Sequence, residues 1–249
     1  MPNPLNLPLH VRFYGKDIFK ALMIRFGLLS GGIIHSRYGF SFYIRAKQSD
    51  FVVLTSMFVK QEYFKYFTIE KGDTVLDLGA NIGGFSVIAS VYKPEKIICV
   101  EADPETFNVL KKNLELNNVK AELINKAVWS EDNVWIPFRI MRNHSNSSTI
   151  LERKGENYFV IEVPTISLKR LVKDYGPIDF LKCDIEGAEF EVFLNTPKKY
   201  LKKIDKIVLE YHNWSEKYSH RDLIELFEKL GKDIKLLDSN GELGLMYIQ

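Results

Sequence analysis

Apolar runs alternate with helix-like segments along the chain from residue 74 onward. Runs of this kind, separated by helices, are typical of a mostly parallel β-sheet that carries helices on both faces. The pattern therefore indicates an α/β fold. We predict strands at Thr74–Leu78, Lys96–Val100, Ala121–Ile124, Ile178–Cys183 and Lys206–Tyr211.

Two stretches between these runs carry the residue types that begin and end helices. Asp103 is a candidate N-cap before a proline, which predicts a helix over Pro104–Leu116. A second helix is predicted from Ser219 through Leu230, because Asp222 completes a capping-box pattern and Gly231 provides a stop.

The end of the chain has the pattern of a β-hairpin. Two strand-like runs, Ile234–Leu237 and Leu243–Ile248, flank the dipeptide Asn240-Gly241, which is a strong signal for a tight turn. Strands joined in this way are antiparallel. We therefore predict a mostly parallel seven-stranded sheet that ends in an antiparallel hairpin.

Residues 1–70 lie outside the alternating pattern, and we expect them to form an extension that packs on a core domain of residues 71–249. Within the extension, Tyr38–Arg45 alternates apolar and polar positions as a half-buried strand does. The apolar stretch Ile18–Ile34 is interrupted by basic residues and is too short to cross a bilayer. It predicts an amphipathic segment on the domain, and the alternative is an interfacial helix that makes peripheral membrane contact.

A second departure from the pattern is an insertion at about residues 130–165, too long for a simple connection. Strand-like runs near Val134–Ile140 and Tyr158–Val163 flank the polar stretch Arg142–Thr149. We predict a β-hairpin insertion with a flexible tip.

Composition and charge narrow the classes of function. The chain has 249 residues, 46% of them hydrophobic, and a formal net charge of +2 from 34 basic and 32 acidic residues. This balance argues against a large nucleic-acid footprint, which needs a marked basic excess. Cys99 and Cys183 fall on predicted strands that flank a third strand, roughly 9–10 Å apart and too far for a disulfide. Free buried thiols predict a cytoplasmic location.

The segment VLDLGANIGG, residues 75–84, has the composition of a ligand-binding turn. Glycine lets the backbone turn sharply and approach a ligand closely, and a strand, glycine turn and helix form the nucleotide-binding corner of open α/β sheets. An asparagine replaces the second glycine of the dinucleotide fingerprint, so that fingerprint fails. The loop resembles the cofactor loop of S-adenosylmethionine-dependent methyltransferases, and a tight packing turn is the competing interpretation. The candidate cofactor-binding residues here are Asp77, Gly79, Ala80, Asn81 and Gly83.

Glu101 ends the second strand in the segment CVEADP, 22 residues after Gly79. An acidic residue at about this spacing meets ribose hydroxyls in nucleotide-binding folds, and one carboxylate accepts two hydroxyl hydrogens. We predict that Glu101 and the adjacent Ala102 bind the cofactor. The competing interpretation of Glu101 is a surface acid before a helix cap.

The segment FLKCDIEGAE, residues 180–189, places a lysine inside a run suited to a buried strand. Burying Lys182 is costly unless its charge is paired. We hypothesise that Lys182 pairs with Asp184, Glu186 or Glu189, or with Glu210 on the next strand. These acids stand at the carboxyl end of the strand, where open α/β sheets bind ligands.

His212 follows Glu210 at the end of the fifth strand. Histidine titrates near neutral pH and makes His212 a candidate general base, although a hydrogen-bonded histidine at a strand end is the commoner case. Asp184 and Glu186 are the other candidate catalytic residues. A divalent-metal site formed by these three and Glu210 is a minor alternative, because the spacing is not diagnostic. The preferred interpretation needs no metal.

The combination of motifs resembles FkbM-type methyltransferases. The matching pieces run in order from Asp50 to Leu194 and include GDTVLDLGANIGGFS, VEADP, VPTISLKRLV and IDFLKCDIEGAEFEVF. The resemblance implies a Rossmann-like class I methyltransferase fold, S-adenosyl-L-methionine as methyl donor, and O-methylation of a hydroxyl on a small molecule or glycan. It also implies adenine contacts near Asn125 and a cofactor contact at Asp184.

Three alternatives to this function are weighed. Nucleic-acid base methyltransferases that act on exocyclic amines usually carry (D/N)-P-P-(Y/F) after the fourth strand, by resemblance, whereas this chain has DIEG. An acidic lip there also repels phosphate. A dehydrogenase is excluded by the glycine spacing. A non-catalytic module that binds S-adenosylmethionine stays open.

Overall fold

The protein folds around a mixed β-sheet, and the computed structural model describes residues 9–141, 158–215, 217–238 and 241–249. The described strands are β1 (Gly31–His35), β2 (Ser41–Arg45), β3 (Thr74–Leu78), β4 (Lys96–Val100), β5 (Glu122–Ile124), β6 (Ala127–Trp129), β7 (Trp135–Met141), β8 (Tyr158–Ser167), β9 (Ile178–Cys183), β10 (Ile204–His212), β11 (Ile234–Asp238) and β12 (Leu243–Ile248). The described α-helices are α1 (Leu9–Tyr14), α2 (Ile18–Arg25), α3 (Asp50–Thr55), α4 (Gly84–Val91), α5 (Pro104–Leu116), α6 (Leu168–Tyr175), α7 (Glu189–Asn195), α8 (Lys198–Leu201) and α9 (His220–Glu228).

Seven of the described strands form the central sheet, in the order β11-β12-β10-β9-β3-β4-β5. The strands from β10 to β5 are parallel, and β12 is antiparallel to both β10 and β11. This is the predicted Rossmann-like arrangement, and the prediction of fold class is confirmed. The predicted bounds of β3, β4 and β9 are exact, whereas β10 extends beyond its predicted bounds at both ends.

The central strands are buried on both faces, because helices cover the sheet from two sides. Side chains alternate along a strand, and Val75 and Leu76 on β3 accordingly belong to separate apolar clusters. Cys99 and Cys183 lie on the two strands that flank β3 and are buried free thiols. The expectation of two unpaired cysteines is therefore confirmed.

The predicted helix starts are confirmed by their caps. Asp103 accepts hydrogen bonds from the backbone N–H groups of Glu105 at 3.1 Å and Thr106 at 3.3 Å, at the start of α5. Ser219 and Asp222 form the predicted capping box at the start of α9. These local signals fix where α5 and α9 leave the sheet.

The N-terminal part of the described chain contributes to the same apolar cluster as β3 and α4. Phe13 of α1, Phe42 of β2 and Phe51 of α3 are buried in it. Asn113 of α5 and Asn117 directly after it hold β2, since Tyr43 N–H donates to Asn113 Oδ1 at 2.7 Å and Ser41 N–H donates to Asn117 Oδ1 at 3.0 Å. The predicted strand Tyr38–Arg45 starts later, at Ser41, because a turn containing Gly39 at φ +86° precedes it.

The insertion is the predicted antiparallel pair, formed by β7 and β8. The strand β8 is longer than predicted and continues to Ser167, where it pairs in parallel with β6. The result is a small three-stranded sheet in the order β6-β8-β7. The predicted flexible tip, Arg142–Thr149, and Asn240 of the C-terminal turn lie outside the described residues.

Candidate functional site

The glycine turn after β3 is shaped by its contact with β9. Gly79 has φ +72°, and a Cβ atom at this position would lie 1.8 Å from the backbone oxygen of Asp184. Only glycine fits such an approach. Asn81 adopts the left-handed conformation at φ +50°, as its chemistry allows, and its side chain accepts from Ile82 N–H at 2.8 Å. The turn therefore joins the ends of β3 and β9.

A cavity of about 300 Å³ opens at the carboxyl ends of β3, β4 and β9. Its volume lies at the lower end of the range for small-molecule sites. The walls come from five parts of the fold: the strand ends, the segment after β5, the start of α5, the segment after β2, and the insertion. The lining residues are Gly79, Asn81, Val100, Glu101, Ala102, Asp184, Ile185 and Glu186; Lys126, Ala127 and Val128; Asp103, Glu105 and Thr106; Arg45 and Gln48; and Phe138, Ile140 and Phe159.

Glu101 is held by backbone donors at the wall of this cavity. Its Oε2 accepts from Asn81 N–H at 2.8 Å and its Oε1 accepts from Asp103 N–H at 3.0 Å. Burial raises the pKa of Glu101 to about 7, against the opposing effect of these two hydrogen bonds. A carboxylate has about four lone-pair positions, so Glu101 retains acceptor capacity for a diol.

Lys182 forms a buried ion pair, but with a partner other than those predicted. Its Nζ lies 3.3 Å from Asp77 Oδ1 and donates to the carbonyl oxygens of Leu78 and Gly79 at 3.2 and 2.6 Å. The register places Asp77 directly opposite Lys182 on adjacent parallel strands, which explains the pairing. Burial alone would lower the pKa of Lys182, but Asp77 and Asp184 outweigh it and raise the pKa. The predicted pairing with Asp184, Glu186, Glu189 or Glu210 is wrong.

The same pair removes Asp77 from the cavity wall. Asp77 is fully buried and also accepts from Ser86 Oγ at 2.7 Å. It therefore lies beneath the glycine turn, and this geometry does not support the predicted direct contact between Asp77 and the cofactor. Its charge is neutralised by Lys182, which explains how a carboxylate is tolerated inside the sheet.

Asp184, which follows β9, belongs to a group of acids together with Glu210 on β10. Tyr63 Oη is within hydrogen-bonding distance of both Asp184 Oδ2, at 3.2 Å, and Glu210 Oε2, at 2.8 Å. Asp184 Oδ1 is buried and has no hydrogen-bond partner among the described residues. Burial, together with the charge of Asp184, raises the pKa of Glu210 to about 7. The structure thus provides one unused carboxylate oxygen and a neighbouring acid that titrates near neutral pH.

His212 is placed between two carboxylates. Its Nδ1 lies 3.0 Å from Glu189 Oε1, and its Nε2 lies 3.5 Å from Glu186 Oε2. Burial alone would lower the pKa of His212, but the charges of Glu189 and Glu186 outweigh it and raise the pKa to about 10. The imidazole is therefore protonated at neutral pH and has no lone pair to accept a proton. The two carboxylates therefore count against His212 as general base, and that role stays a prediction.

A metal-binding arrangement also has to be considered, because ligand atoms of Asp184, Glu210 and His212 lie within 4.8 Å of one another. A histidine ligates a metal through an unprotonated nitrogen. Both ring nitrogens of His212 face carboxylates, and Tyr63 engages the two acids. His212, Glu210 and Asp184 Oδ2 are thus engaged by neighbouring side chains, while Asp184 Oδ1 has no hydrogen-bond partner among the described residues.

The predicted site residues divide into those that line the cavity and those that lie behind its wall. Gly79, Asn81, Glu101, Ala102, Asp184 and Glu186 line the cavity. Ala80, Gly83, Asn125 and His212 lie outside the set of lining residues in the described chain. Asn125 donates from Nδ2 to the carbonyl oxygens of Glu101 at 2.8 Å and Ala102 at 3.1 Å. Its role in this geometry is to fix the end of β4.

Several cavity residues lie outside the motifs that identify the core of the domain and are not predicted from the sequence. Arg45 donates to Asp50 through two nitrogens and to Thr106 Oγ1 at 3.0 Å, so it bridges the N-terminal segment and α5. Phe138 and Phe159 belong to the insertion. The only available signal was the end of the alternating strand at Arg45 and the apolar runs of the hairpin. Neither signal indicates which side of the domain these elements cover.

Comparisons with known proteins place the chain that forms this cavity in a family. A family model described as the methyltransferase FkbM domain matches residues 77–234, which is more than half of the chain. The chain belongs to the FkbM methyltransferase family. The predicted family is confirmed, and this FkbM protein is an S-adenosylmethionine-dependent methyltransferase, as predicted.

Two curated relatives agree with this assignment. Methyltransferase sdnD of Sordaria araneosa is 27% identical over 194 residues, which cover 64% of the FkbM chain and 73% of that protein. Methyltransferase 1 of Beauveria bassiana (strain ARSEF 2860) is 27% identical over 157 residues, 55% of the FkbM chain and 63% of that protein. The chain thus spans under two thirds of the second relative.

Solved structures share a broad outline with the FkbM chain. Precorrin-6y C5,15-methyltransferase of Geobacter metallireducens has a TM-score of 0.47 and 12% identity, covering 77% of this chain and 87% of that one. Aeropyrum pernix fibrillarin, in complex with natively bound S-adenosyl-L-methionine, has a TM-score of 0.45 and 12% identity, covering 88% of this chain and 82% of that one.

None of the helices in the described residues has the length and hydropathy that crossing a bilayer requires.

Proposed function

We propose that this FkbM protein is an O-methyltransferase whose acceptor is a hydroxyl group on a small molecule or a glycan. The observation that carries the proposal is the unpartnered buried oxygen of Asp184 beside Glu186 in the cavity wall. Both acids stand at the carboxyl end of a parallel strand, where open α/β sheets bind their ligands. A hydroxyl acceptor needs a group that takes its proton, and a carboxylate supplies one.

The residues of the cavity fit S-adenosylmethionine in charge and shape. Its ammonium and sulfonium are positive, and acids outnumber bases among the lining residues. Glu101 has acceptor capacity for the ribose hydroxyls, and Gly79 and Asn81 of the glycine turn line the cavity beside it. Val128 and Phe138 provide apolar surface for the adenine. When bound, the cofactor supplies an electrophilic methyl group.

Alignment and proton removal are the work left to the protein. Positioning of two reactants contributes up to roughly 7–11 kcal/mol to lowering a barrier. A general base typically adds about 10²–10⁴ in rate. We assign the base to the Asp184 and Glu186 carboxylates, with Glu210 as a neighbour whose pKa of about 7 lets the group hold a proton near neutral pH. The predicted role of Asp184 at the cofactor is retained in this proposal.

The test is transfer of a tritiated methyl group from S-adenosylmethionine to an extract of the source organism. The extract is fractionated into glycans, lipids, nucleic acids and small metabolites. We expect label in a glycan or small-metabolite fraction, and we expect it to resist mild alkali, which cleaves methyl esters but leaves methyl ethers intact. Glu186→Gln should lower turnover by about 10²–10⁴ if that carboxylate is the base. Asp184→Asn separates the two carboxylates in the same assay.

Glu105→Gln is the matched control, because Glu105 also lines the cavity but belongs to the first turn of α5 instead of the end of β9. Its turnover should stay within about twofold of the unaltered chain. Label in the nucleic-acid fraction, with salt-sensitive RNA binding, would favour the alternative acceptor class. Cofactor binding by calorimetry without label in any fraction would favour a non-catalytic module.

A further inference from the structure

Four large apolar side chains are exposed together near the start of the described chain. Phe19 is 77% exposed, Met23 42%, Phe26 70% and Leu28 72%. We call these four residues the apolar patch. Isolated exposed apolar residues are normal in proteins, whereas a contiguous group of this size marks an interaction surface.

Helix geometry makes the apolar patch continuous. Phe19, Met23 and Phe26 are spaced four and three residues apart, which places them on one face of α2 and its last turn. Leu28 joins them because its N–H donates to the carbonyl oxygen of Met23 at 2.8 Å. Phe19, Met23 and Phe26 therefore form one exposed face of α2 and its last turn, and the backbone hydrogen bond holds Leu28 beside that turn.

The opposite face of α2 is already used by the fold. Ala21 and Ile24 are fully buried in the apolar cluster below. Lys20 lies at the edge between the two faces, where its exposed side chain donates from Nζ to the carbonyl oxygen of Ile33 at 2.7 Å. The orientation of α2 is fixed by these contacts, and the apolar patch faces away from the core.

The charge around the apolar patch has one sign. Residues 1–49 contain seven Lys or Arg residues and one acid, Asp17, whereas residues 50–249 contain 27 basic and 31 acidic residues. The Asp17 carboxylate accepts from His35 N–H at 2.7 Å. Lys16 and Lys20 are exposed on either side of Phe19. The end of the chain that carries the apolar patch is therefore strongly basic, while the rest is acidic.

We propose that the apolar patch and its basic surroundings bind an anionic lipid surface. Aromatic and aliphatic side chains flanked by lysines are the composition of interfacial membrane-binding helices, in which the apolar face enters the boundary of headgroups and acyl chains. The lysines meet the lipid phosphates through their flexible stems. A protein interface of the same size is a poorer match, because lysine is depleted from such interfaces.

The patch also lies beside one wall of the cavity. Ala46 N–H donates to the carbonyl oxygen of Ser30 at 3.3 Å, and a Cβ at Gly27 would lie 2.4 Å from Lys47 Cε. The segment after α2 thus packs against the residues between Arg45 and Gln48, both of which line the cavity. Lipid binding would bring that wall close to the membrane surface.

The test is flotation of the full chain with vesicles of phosphatidylcholine alone and of phosphatidylcholine mixed with phosphatidylglycerol. We expect binding to the mixed vesicles, weak binding to the neutral ones, and release at about 1 M salt, where the screening length falls to about 3 Å. Phe19→Ser/Phe26→Ser should abolish binding. Lys16→Glu/Lys20→Glu should weaken it by about thirtyfold or more, since each basic residue near an anionic surface contributes about fivefold.

Two matched controls separate position from composition. Trp135→Ser removes an exposed aromatic side chain from β7, and Lys198→Glu/Lys202→Glu reverses two exposed lysines around α8. Both should bind the mixed vesicles as the unaltered chain does. Thermal unfolding followed by circular dichroism establishes that each variant is folded.

Three results would overturn the proposal. They are absence of binding to either vesicle, equal binding to neutral and anionic vesicles, and concentration-dependent dimerisation in ultracentrifugation that Phe19→Ser/Phe26→Ser abolishes. The last result would assign the apolar patch to a second copy of the chain. Vesicle binding needs no methyl transfer, so its outcome is separate from that of the proposed catalytic function.

Discussion

The two ends of the cavity differ in what holds their functional side chains. At the end near β4, Glu101 is held by the backbone N–H groups of Asn81 and Asp103, which are 20 and 2 residues away from it along the chain. At the end near β9, Asp184 and Glu210 are joined through Tyr63, which is 121 and 147 residues away from them along the chain. Contacts within two consecutive strand–loop units therefore specify the first end, while contacts between distant parts of the chain specify the second.

Lys182 contacts both ends of the cavity wall from inside the sheet. Its ammonium pairs with the Asp77 carboxylate on β3 and donates to the carbonyl oxygen of Gly79, and Lys182 itself is two residues before Asp184 in the sequence. Because the glycine turn contacts the backbone of Asp184, a change at either strand end is transmitted to the other. The first two predictions act on this junction.

The largest effect is expected for Gly79→Ala. The new Cβ would meet the Asp184 carbonyl at 1.8 Å, and alanine disfavours a φ of +72°. The turn or β9 has to move, and we expect cofactor affinity to fall by more than about 100-fold. Calorimetric titration with S-adenosylhomocysteine measures it. Gly176→Ala is the control, because a Cβ there meets nothing within 4 Å although φ is +86°; equal losses of affinity in both variants would refute the argument from contact.

The next effect is a loss of stability in Lys182→Met. It leaves the Asp77 carboxylate buried without its counter-charge, and breaking such a pair costs about 3–5 kcal/mol. The free energy of unfolding from urea denaturation measures it. Lys229→Met, which breaks the exposed ion pair with Glu225, should cost less than about 1 kcal/mol. The double variant Asp77→Asn/Lys182→Met should be more stable than Lys182→Met alone, and a lower stability would show that the pair is not the cause.

These junction residues also show how far sequence reasoning reaches. The central strands, the α5 and α9 caps and the terminal hairpin follow from local patterns and are predicted by them, whereas β1 and β6 are not predicted. The partner of Lys182 depends on which strands are neighbours and in what register, and that information lies in strand order. Predicting that β9 lies beside β3 is enough to exclude a disulfide between the two cysteines, because that depends only on a distance. It is not enough to identify the partner of Lys182, because that depends on the register of the two strands.

The carboxylates around His212 show a second limit of prediction from the sequence. His212 is a reasonable base by its ordinary pKa of about 6.5, and only its position between Glu186 and Glu189 changes that role. Arg45 and the insertion phenylalanines have no motif that connects them with the cavity. Their contribution follows from the way in which the N-terminal segment and the insertion dock on the domain, which depends on contacts distant in sequence.

His212→Gln should have a moderate effect that depends on pH. The folded pKa of about 10 lies above the unfolded value near 6.5, so the stabilisation is complete below pH 6.5 and is lost as pH rises through 10. Glu189 keeps its backbone donors, Ile185 and Gly187 N–H, and we expect a cost of about 1–3 kcal/mol at pH 7.

Urea denaturation between pH 6 and pH 10 measures that dependence. The difference in unfolding free energy between the unaltered chain and His212→Gln should shrink towards pH 10. His35→Gln, at an exposed histidine bonded to Ser41, is the control and should change stability by less than about 0.5 kcal/mol at every pH. A difference that stays constant across this range would mean that His212 carries no charge in the folded protein.

The smallest effect is expected at the end that the backbone holds. Glu101→Gln keeps the shape of the side chain but leaves one acceptor oxygen for the two N–H groups of Asn81 and Asp103. Hydrogen bonds to a charged group contribute about 1.5–3 kcal/mol each, and the loss of one to the ribose predicts about tenfold weaker binding of S-adenosylhomocysteine at pH 8.

The pH dependence sharpens the same prediction. With a pKa of about 7, Glu101 gains its negative charge as pH rises through neutrality, so cofactor affinity of the unaltered chain should increase between pH 6 and pH 8. Glu101→Gln should show no such increase, and Glu105→Gln, on the same cavity wall but without backbone donors from the glycine turn, should retain it. If both variants retained the increase, another group would have to carry the titration. The pH dependence of cofactor affinity would then belong to that group and not to Glu101.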